Sequence, residues 1–304
     1  MNAIEIKNLT KIFKEKVAVN NLNMTVPMGA IYGFIGENGS GKSTTEKMIC
    51  GLLIPNSGSI KLFGKNHNNQ EVRAEMSCLI ESPGCFPNYS VWNNLMLQAT
   101  NLGIKNPKEE IVRVLKLVRM EGAAGNKYKN CSLGMKQRVG IAMALLGNPK
   151  LLILDEPING LDADGMRIVR EIFNDIVKDG TCSILVSSHI LSELEKVATH
   201  YGIIRNGKMI KEMTAEELDS ECRTFISLKA KEENRTKALL SIKYNRVETD
   251  EEGFIRVYDE VTAEEVVTYL YDNNIIVNEI KTSKVNLEEY YIDLMKEGKQ
   301  LWKN

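Results

Sequence analysis

The sequence predicts an α/β chain in two parts: a large unit on a mostly parallel sheet covered by helices on both faces, and a small α/β unit after it. Three observations carry this. Continuously apolar runs such as Leu151-Leu152-Ile153-Leu154 read as strands buried on both faces, and they alternate with segments of helical spacing. A glycine-rich loop, Gly36 to Ser43, falls between one such strand and a helix. After Glu217 the texture changes to shorter, alternating runs.

Residues 3–9 alternate as a strand, and residues 30–35 form an apolar run that stops abruptly at the glycine-rich loop. A helix is expected from Ser43 to about Leu53. Residues 107–119 place Ile111, Val114, Leu115 and Val118 on one helical face, and a second helical pattern runs from Lys136 to Leu146. A buried strand at 151–157, a helix near 164–178, a strand at 182–188 and a helix at 190–198 complete the first unit. The second unit reads as a strand at 223–229, a helix at 233–242, a hairpin closed at Glu251 to Gly253, a helix at 262–273, a strand at 275–281 and a last helix opened by Asn286. That β-α-β-β-α-β order suits a ferredoxin-like domain. The expected division is 1–217 and 218–304, with the tyrosines 269, 271, 290 and 291 packing the small unit's core.

Composition narrows the function classes. The chain has 304 residues, with 39 basic and 40 acidic side chains and a net charge of -1, so no basic excess announces a nucleic-acid partner. Six cysteines without C-x-x-C spacing and three histidines argue against structural zinc and a disulfide framework. The apolar runs are too short to span a bilayer, and the amino terminus lacks an apolar signal region. The expectation is a cytoplasmic protein.

The loop Gly36-Glu37-Asn38-Gly39-Ser40-Gly41-Lys42-Ser43, continued by Thr44, matches G-x-x-x-x-G-K-[ST] in the strand-to-helix setting that motif requires. Its glycines let consecutive backbone N–H groups face a phosphate, Lys42 reaches the β and γ phosphates, and Ser43 offers a hydroxyl to Mg²⁺. Asp155 and Glu156 stand side by side at the carboxyl end of an apolar strand, where α/β folds bind ligands. Asp155 is suited to hold the metal, and Glu156 to orient or deprotonate the attacking water. His189 ends the next apolar strand and reads as a γ-phosphate sensor at the same sheet edge.

With these pieces in order, the chain resembles the ATP-binding subunits of ABC transporters over about residues 3–215. The resemblance implies a P-loop NTPase fold with a helical subdomain at about 84–140, ATP and Mg²⁺ as ligands, and hydrolysis between two copies or a pair of similar ATPase subunits. It also implies separate transmembrane permease subunits and a peripheral place on the inner face of the membrane. Cys131-Ser132-Leu133-Gly134-Met135 occupies the place of the family's L-S-G-G-Q, with only Ser132 and Gly134 matching, and the resemblance assigns both to the partner copy's γ-phosphate. Phe13 falls where the family stacks an aromatic ring on adenine, and Asn159-Gly160-Leu161-Asp162 falls on the loop that couples the two sites of the dimer. Glu81 replaces a family Gln that contacts metal and attacking water, which places it among the catalytic and metal-binding candidates. Residues 82–100, with Phe86, Tyr89, Val91 and Trp92, read as a turn-rich edge of the surface that docks the permease. Glu81 and the carboxyl-terminal Leu-Glu-Glu-Tyr-Tyr segment resemble the branch that exports bacitracin-like and lantibiotic peptides for self-protection. Lipid or drug efflux, nutrient import and a non-transport ATPase are the alternatives.

Overall fold

The computed structural model describes residues 1–301 except Arg223, Glu251 and Glu260, with side chains described as far as Met295. The chain divides into two compact units, Met1–Ala215 and Glu216–Asn304.

In the first unit, β1 (Asn2–Phe13) and β2 (Lys16–Pro27) form a long antiparallel hairpin whose alternation buries Ile4, Ile6, Leu22, Met24 and Val26. Next come β3 (Ile31–Ile35), α1 (Lys42–Ile49), β4 (Ser57–Leu62) and the two-residue β5 (Lys65–Asn66). The strands β2-β1-β4-β5 make one antiparallel sheet. They are followed by α2 (Gln70–Ala74), β6 (Met76–Leu79), α3 (Val91–Asn101), α4 (Pro107–Leu117) and α5 (Leu133–Leu145). The unit closes with β7 (Leu151–Asp155), α6 (Ala163–Val177), β8 (Ser183–Ser188), α7 (Leu191–Leu194), β9 (His200–Arg205) and β10 (Lys208–Thr214). The central sheet has the order β10-β9-β3-β8-β7-β6, parallel throughout except for β10 at one edge. Every residue of β3 and β8 is buried, the physical reason for their unbroken apolar character apart from the serines of β8.

Two expectations change here. The stretch 82–100 is not turn-rich to its end. Its second half is α3, capped by the Ser90 hydroxyl, which accepts from Asn93 N, and it buries Val91, Leu95 and Ala99 along one face. Val91 is therefore core, while Phe86 and Tyr89 remain half exposed, with ring centroids 5.3 Å apart. The expected helix at 190–198 is a regular helix only over α7 and continues as turns.

In the second unit, α8 (Ala215–Glu221) begins at the unit boundary and is followed by β11 (Thr224–Ala230), α9 (Glu233–Lys243), β12 (Val247–Thr249) and β13 (Ile255–Val257). Then come α10 (Ala263–Asp272), β14 (Val277–Lys284) and α11 (Leu287–Leu301). The antiparallel sheet has the order β12-β13-β11-β14, so the two β-α-β passes are interleaved. Ile226, Leu228, Ile255 and Val257 meet Leu240, Val266 and Leu270 of the helices in a core of the unit's own. The Glu251 end of the expected hairpin turn and the Arg223 start of the expected strand lie outside the described residues. Tyr269 packs against this core, but Tyr271 is exposed on the far side of α10, which corrects its assignment to the interior.

Candidate active site

The chain leaves β3 at Ile35 and must turn sharply into α1. Gly41, at the helix start, has φ +114, and a Cβ there would lie 2.7 Å from the carbonyl oxygen of Ala18. A Cβ on Gly36 would meet the carbonyl oxygen of Ile204 at 2.5 Å. Both positions therefore require glycine, and the loop wraps so tightly that Lys42 Nζ donates back across it to Gly36 O at 2.6 Å and Glu37 O at 3.3 Å. Lys42 is buried, Glu37, Asn38 and Gly39 are exposed at the rim, and Ser43 and Thr44 are half-buried in the first helical turn. That turn carries no acidic side chain, so its free N–H groups and partial positive charge face an anion unopposed. The buried Ser40 hydroxyl has no hydrogen-bond partner among the described residues.

Beside this loop, β7 delivers Asp155 opposite Ser187 of β8. Ser187 Oγ donates to Asp155 Oδ1 at 2.8 Å, and Glu156 N donates to Ser187 O at 3.1 Å. Glu156 adopts φ +49 as the chain leaves the strand, and its Oε2 lies 2.8 Å from His189 Nδ1. The structure thus brings Asp155, Glu156 and His189 together at one sheet edge. Gln137 Nε2 of α5 donates to Glu156 O at 3.4 Å, a tie that sequence spacing gave no means to foresee.

Glu46 is a further residue that motif reading passed over. It follows Ser43 by one turn on the same face of α1, and it is fully buried with neither carboxylate oxygen hydrogen-bonded. Burial, and then the nearby charge of Asp155, push its carboxyl up to about 8, against a weaker pull from Ser187 and Lys42. Nothing in the sequence marked it out, since Thr45 and Lys47 flank it in a helix that is polar as far as Met48.

The remaining candidates take other places. The Ser132 hydroxyl caps α5 by accepting from Met135 N at 3.2 Å. Asp162 caps α6 by accepting from Gly165 N at 2.8 Å. These two segments touch, since Gly134 backs onto Leu161 and Gly160 onto Leu133. Glu81, at φ +67, gives its carboxylate to Lys47 Nζ at 2.8 Å and is largely exposed, so it does not join the Asp155–Glu156 cluster. That ion pair holds its carboxyl below the usual glutamate range. Phe13, at the hairpin tip, is 43% exposed, with the Lys11 ammonium over its ring at 5.1 Å from the centroid.

The family model described as "ABC transporter" matches residues 19–159. The bacitracin transport ATP-binding protein BcrA of Bacillus licheniformis is 37% identical over 300 residues, covering 97% of this chain and 98% of the relative. This chain belongs to the ABC transporter ATP-binding family. The lantibiotic transport ATP-binding protein SrtF of Streptococcus pyogenes is 41% identical over 209 residues, covering 69% of this chain and 90% of that protein. Among solved structures, an ATP-binding subunit of an ABC transporter is 29% identical, with TM-score 0.64 over 72% of this chain and 92% of its own. As an ABC ATPase, the chain binds ATP through the cassette these relatives share. No helix among the described residues is long and apolar enough to cross a membrane, and members of the family act with transmembrane subunits.

The donor set fits Mg²⁺. Ser43 and Asp155 would offer two hard oxygens to such an ion, and among the described residues no cluster of three or more His, Cys, Asp or Glu forms a cage of its own. That is the economy expected of Mg²⁺, which keeps waters and takes its other ligands from phosphate.

Proposed function

We propose that the chain hydrolyses Mg-ATP at this edge and thereby drives a separate membrane partner that exports bacitracin-like or lantibiotic peptides. The single observation behind the cargo is the match to BcrA, which extends over both units instead of stopping at the cassette.

In this reading Phe13 stacks on adenine and the loop from Gly36 to Ser43 wraps the β and γ phosphates. Lys42 is already held by the Gly36 carbonyl at the place where that charge belongs. Ser43 and Asp155 hold Mg²⁺, which when bound neutralises phosphate charge. Glu156 orients and deprotonates the attacking water, with His189 beside its carboxylate to keep it aimed and to meet the γ-phosphate. Ser132 and Gly134 close over the nucleotide of a second copy, and Asp162 sits in the coupling loop against them. Glu81 answers to the membrane partner: held by Lys47 one turn beyond Ser43, it links the metal-bearing helix to the segment that carries Phe86 and Tyr89.

The test has two levels. Purified Glu156→Gln should keep ATP binding and lose phosphate release by about 100-fold or more, the scale of a lost general base. In the native cell, Lys42→Ala should produce hypersensitivity confined to bacitracin-like or lantibiotic peptides. Unchanged tolerance, with the variant expressed, would remove the peptide cargo and favour lipid or drug efflux.

A further inference from the structure

His189 meets Glu156 from a stretch of chain just past the end of β8, with its side chain 48% exposed, and the 2.8 Å contact of Nδ1 with Glu156 Oε2 is the one hydrogen bond its ring makes among the described residues. Where the imidazole stands therefore depends on the backbone that carries it. That backbone has little regular structure of its own to hold it. Ile190 N donates to Ser188 Oγ at 3.0 Å, and α7 is only four residues long, too short to be stable by its own bonding. The buried Leu191 and Leu194 press the segment against the core, but apolar attraction has no direction.

Glu193 supplies the direction. It is buried four residues past His189, where its carboxylate accepts from Arg170 Nη1 of α6 through one oxygen and from Lys196 Nζ at 2.6 Å through the other. Arg170 is itself mostly buried, whereas Lys196 is half exposed, so the pair with Arg170 is the one taken out of water. Such a pair adds little net stability, because desolvation offsets the attraction, while its charged hydrogen bonds fix the geometry of the two groups. We propose that Glu193 is a positioning residue for His189: through Arg170 it pins the segment after β8 to α6 and so sets where the imidazole stands against Glu156. Asp162 caps the start of α6, so the imidazole and the coupling loop take their places from one helix. The inference rests on the proposed work of Glu156 and His189 in hydrolysis.

The full chain carrying Arg170→Leu and Glu193→Leu together separates positioning from stability. Apolar residues in place of both partners leave no buried charge unpaired, and Lys196 turns to solvent, so the Tm should match or exceed that of the parent. Phosphate release should nevertheless fall about tenfold or more in kcat, with KM for ATP within about twofold, because a misplaced group costs turnover without costing nucleotide binding. Glu193→Gln keeps an acceptor for Arg170 and should stay within about threefold of the parent. With His189 already changed to Ala, the double leucine replacement should have no further effect. Nuclear magnetic resonance of the His189 ring, assigned among the three histidines by its loss in His189→Ala, should show its signals shifted in the double variant. Ring signals and turnover equal to the parent's would overturn the inference. So would a fall in turnover that tracks a fall in Tm, or one that persists undiminished in the His189→Ala background, since either makes the pair merely structural. Parent-like turnover in His189→Ala alone would instead remove the reading of the edge on which the inference stands, and the inference with it.

Discussion

At Gly41 the backbone holds φ +114, a region that side-chain-bearing residues rarely enter, and the missing Cβ is the space in which the Ala18 carbonyl lies. Gly41→Ala therefore meets strain and a steric contact at once. We expect a loss of about 2 kcal/mol or more in stability, several degrees in Tm, together with a much larger loss of ATP affinity. Gly39→Ala is the comparison: its φ is +80, but a Cβ there meets nothing within 4 Å, so only backbone strain should register. Differential scanning calorimetry with and without Mg-ATP measures both. At this scale the sequence was highly legible wherever spacing and chemistry coincide, as in the loop, the Asp155–Glu156 pair and His189. It was silent where a partner is distant in the chain. Nothing in the sequence pairs Glu81 with Lys47, or Ser187 with Asp155, since those meetings exist only once β6, β7 and β8 lie side by side.

Among the elements, α4 and α5 are tied by a group that titrates. Glu110 accepts from Arg113 Nε at 2.8 Å and Nη2 at 2.7 Å, and from Gly147 N at 3.0 Å just past the end of α5. The Arg113 hydrogen bonds, then its charge and the Gly147 amide, outweigh burial and hold the Glu110 carboxyl below its ordinary value. A depressed folded-state pKa means that the folded chain releases this proton more readily than the unfolded one. The stabilisation is thus present above the unfolded pKa, near 4.5, and is lost as pH falls through the lower folded value. Glu110→Gln should lower stability by about 1 kcal/mol at pH 7 and make no difference in acid below that range, which thermal melts at the two pH values would reveal. A deficit unchanged in acid would mean the amide merely packs worse. The sequence announced α4 and α5 through their apolar spacing, yet α3 stayed hidden. Its inward positions Val91, Leu95 and Ala99 recur only every four residues, and Asn93 and Asn94 between them read as turn formers. Asn94 is in fact buried and holds the preceding loop, accepting from Phe86 N at 2.7 Å and donating to Ser90 O at 3.0 Å.

For the whole molecule, each unit has its own sheet and its own apolar core. SrtF, covered over 90% of its length by a 209-residue match, leaves no room for a second unit of this size, so the cassette has a relative that does without one. A chain ending at Ala215 should therefore unfold cooperatively and keep its ligand. Mg-ATP at about 100 times its dissociation constant should stabilise it by roughly 2.7 kcal/mol, as for the full chain. A fragment that melts without cooperativity, or shows no nucleotide shift, would mean the cassette depends on the second unit. The two-part division could be seen in the sequence as a change of texture near residue 217, because strands buried on both faces and strands buried on one are written differently. The order of the strands could not, because β3 pairs with β8 and β9 and not with its neighbours in the chain.

That order also governs how the protein is made. Ile31, at the start of β3, donates to Thr199, 168 residues later. At roughly 5–20 residues per second, a ribosome delivers that partner about ten to thirty seconds after β3 itself. Until β8 follows, the strand leading into the phosphate loop has both edges open and an apolar sequence, the combination most prone to stray pairing. The nascent cassette is consequently at its most vulnerable to aggregation while still attached to the ribosome, and a stop or stall before β8 leaves the strand that carries the nucleotide loop without either of its sheet partners.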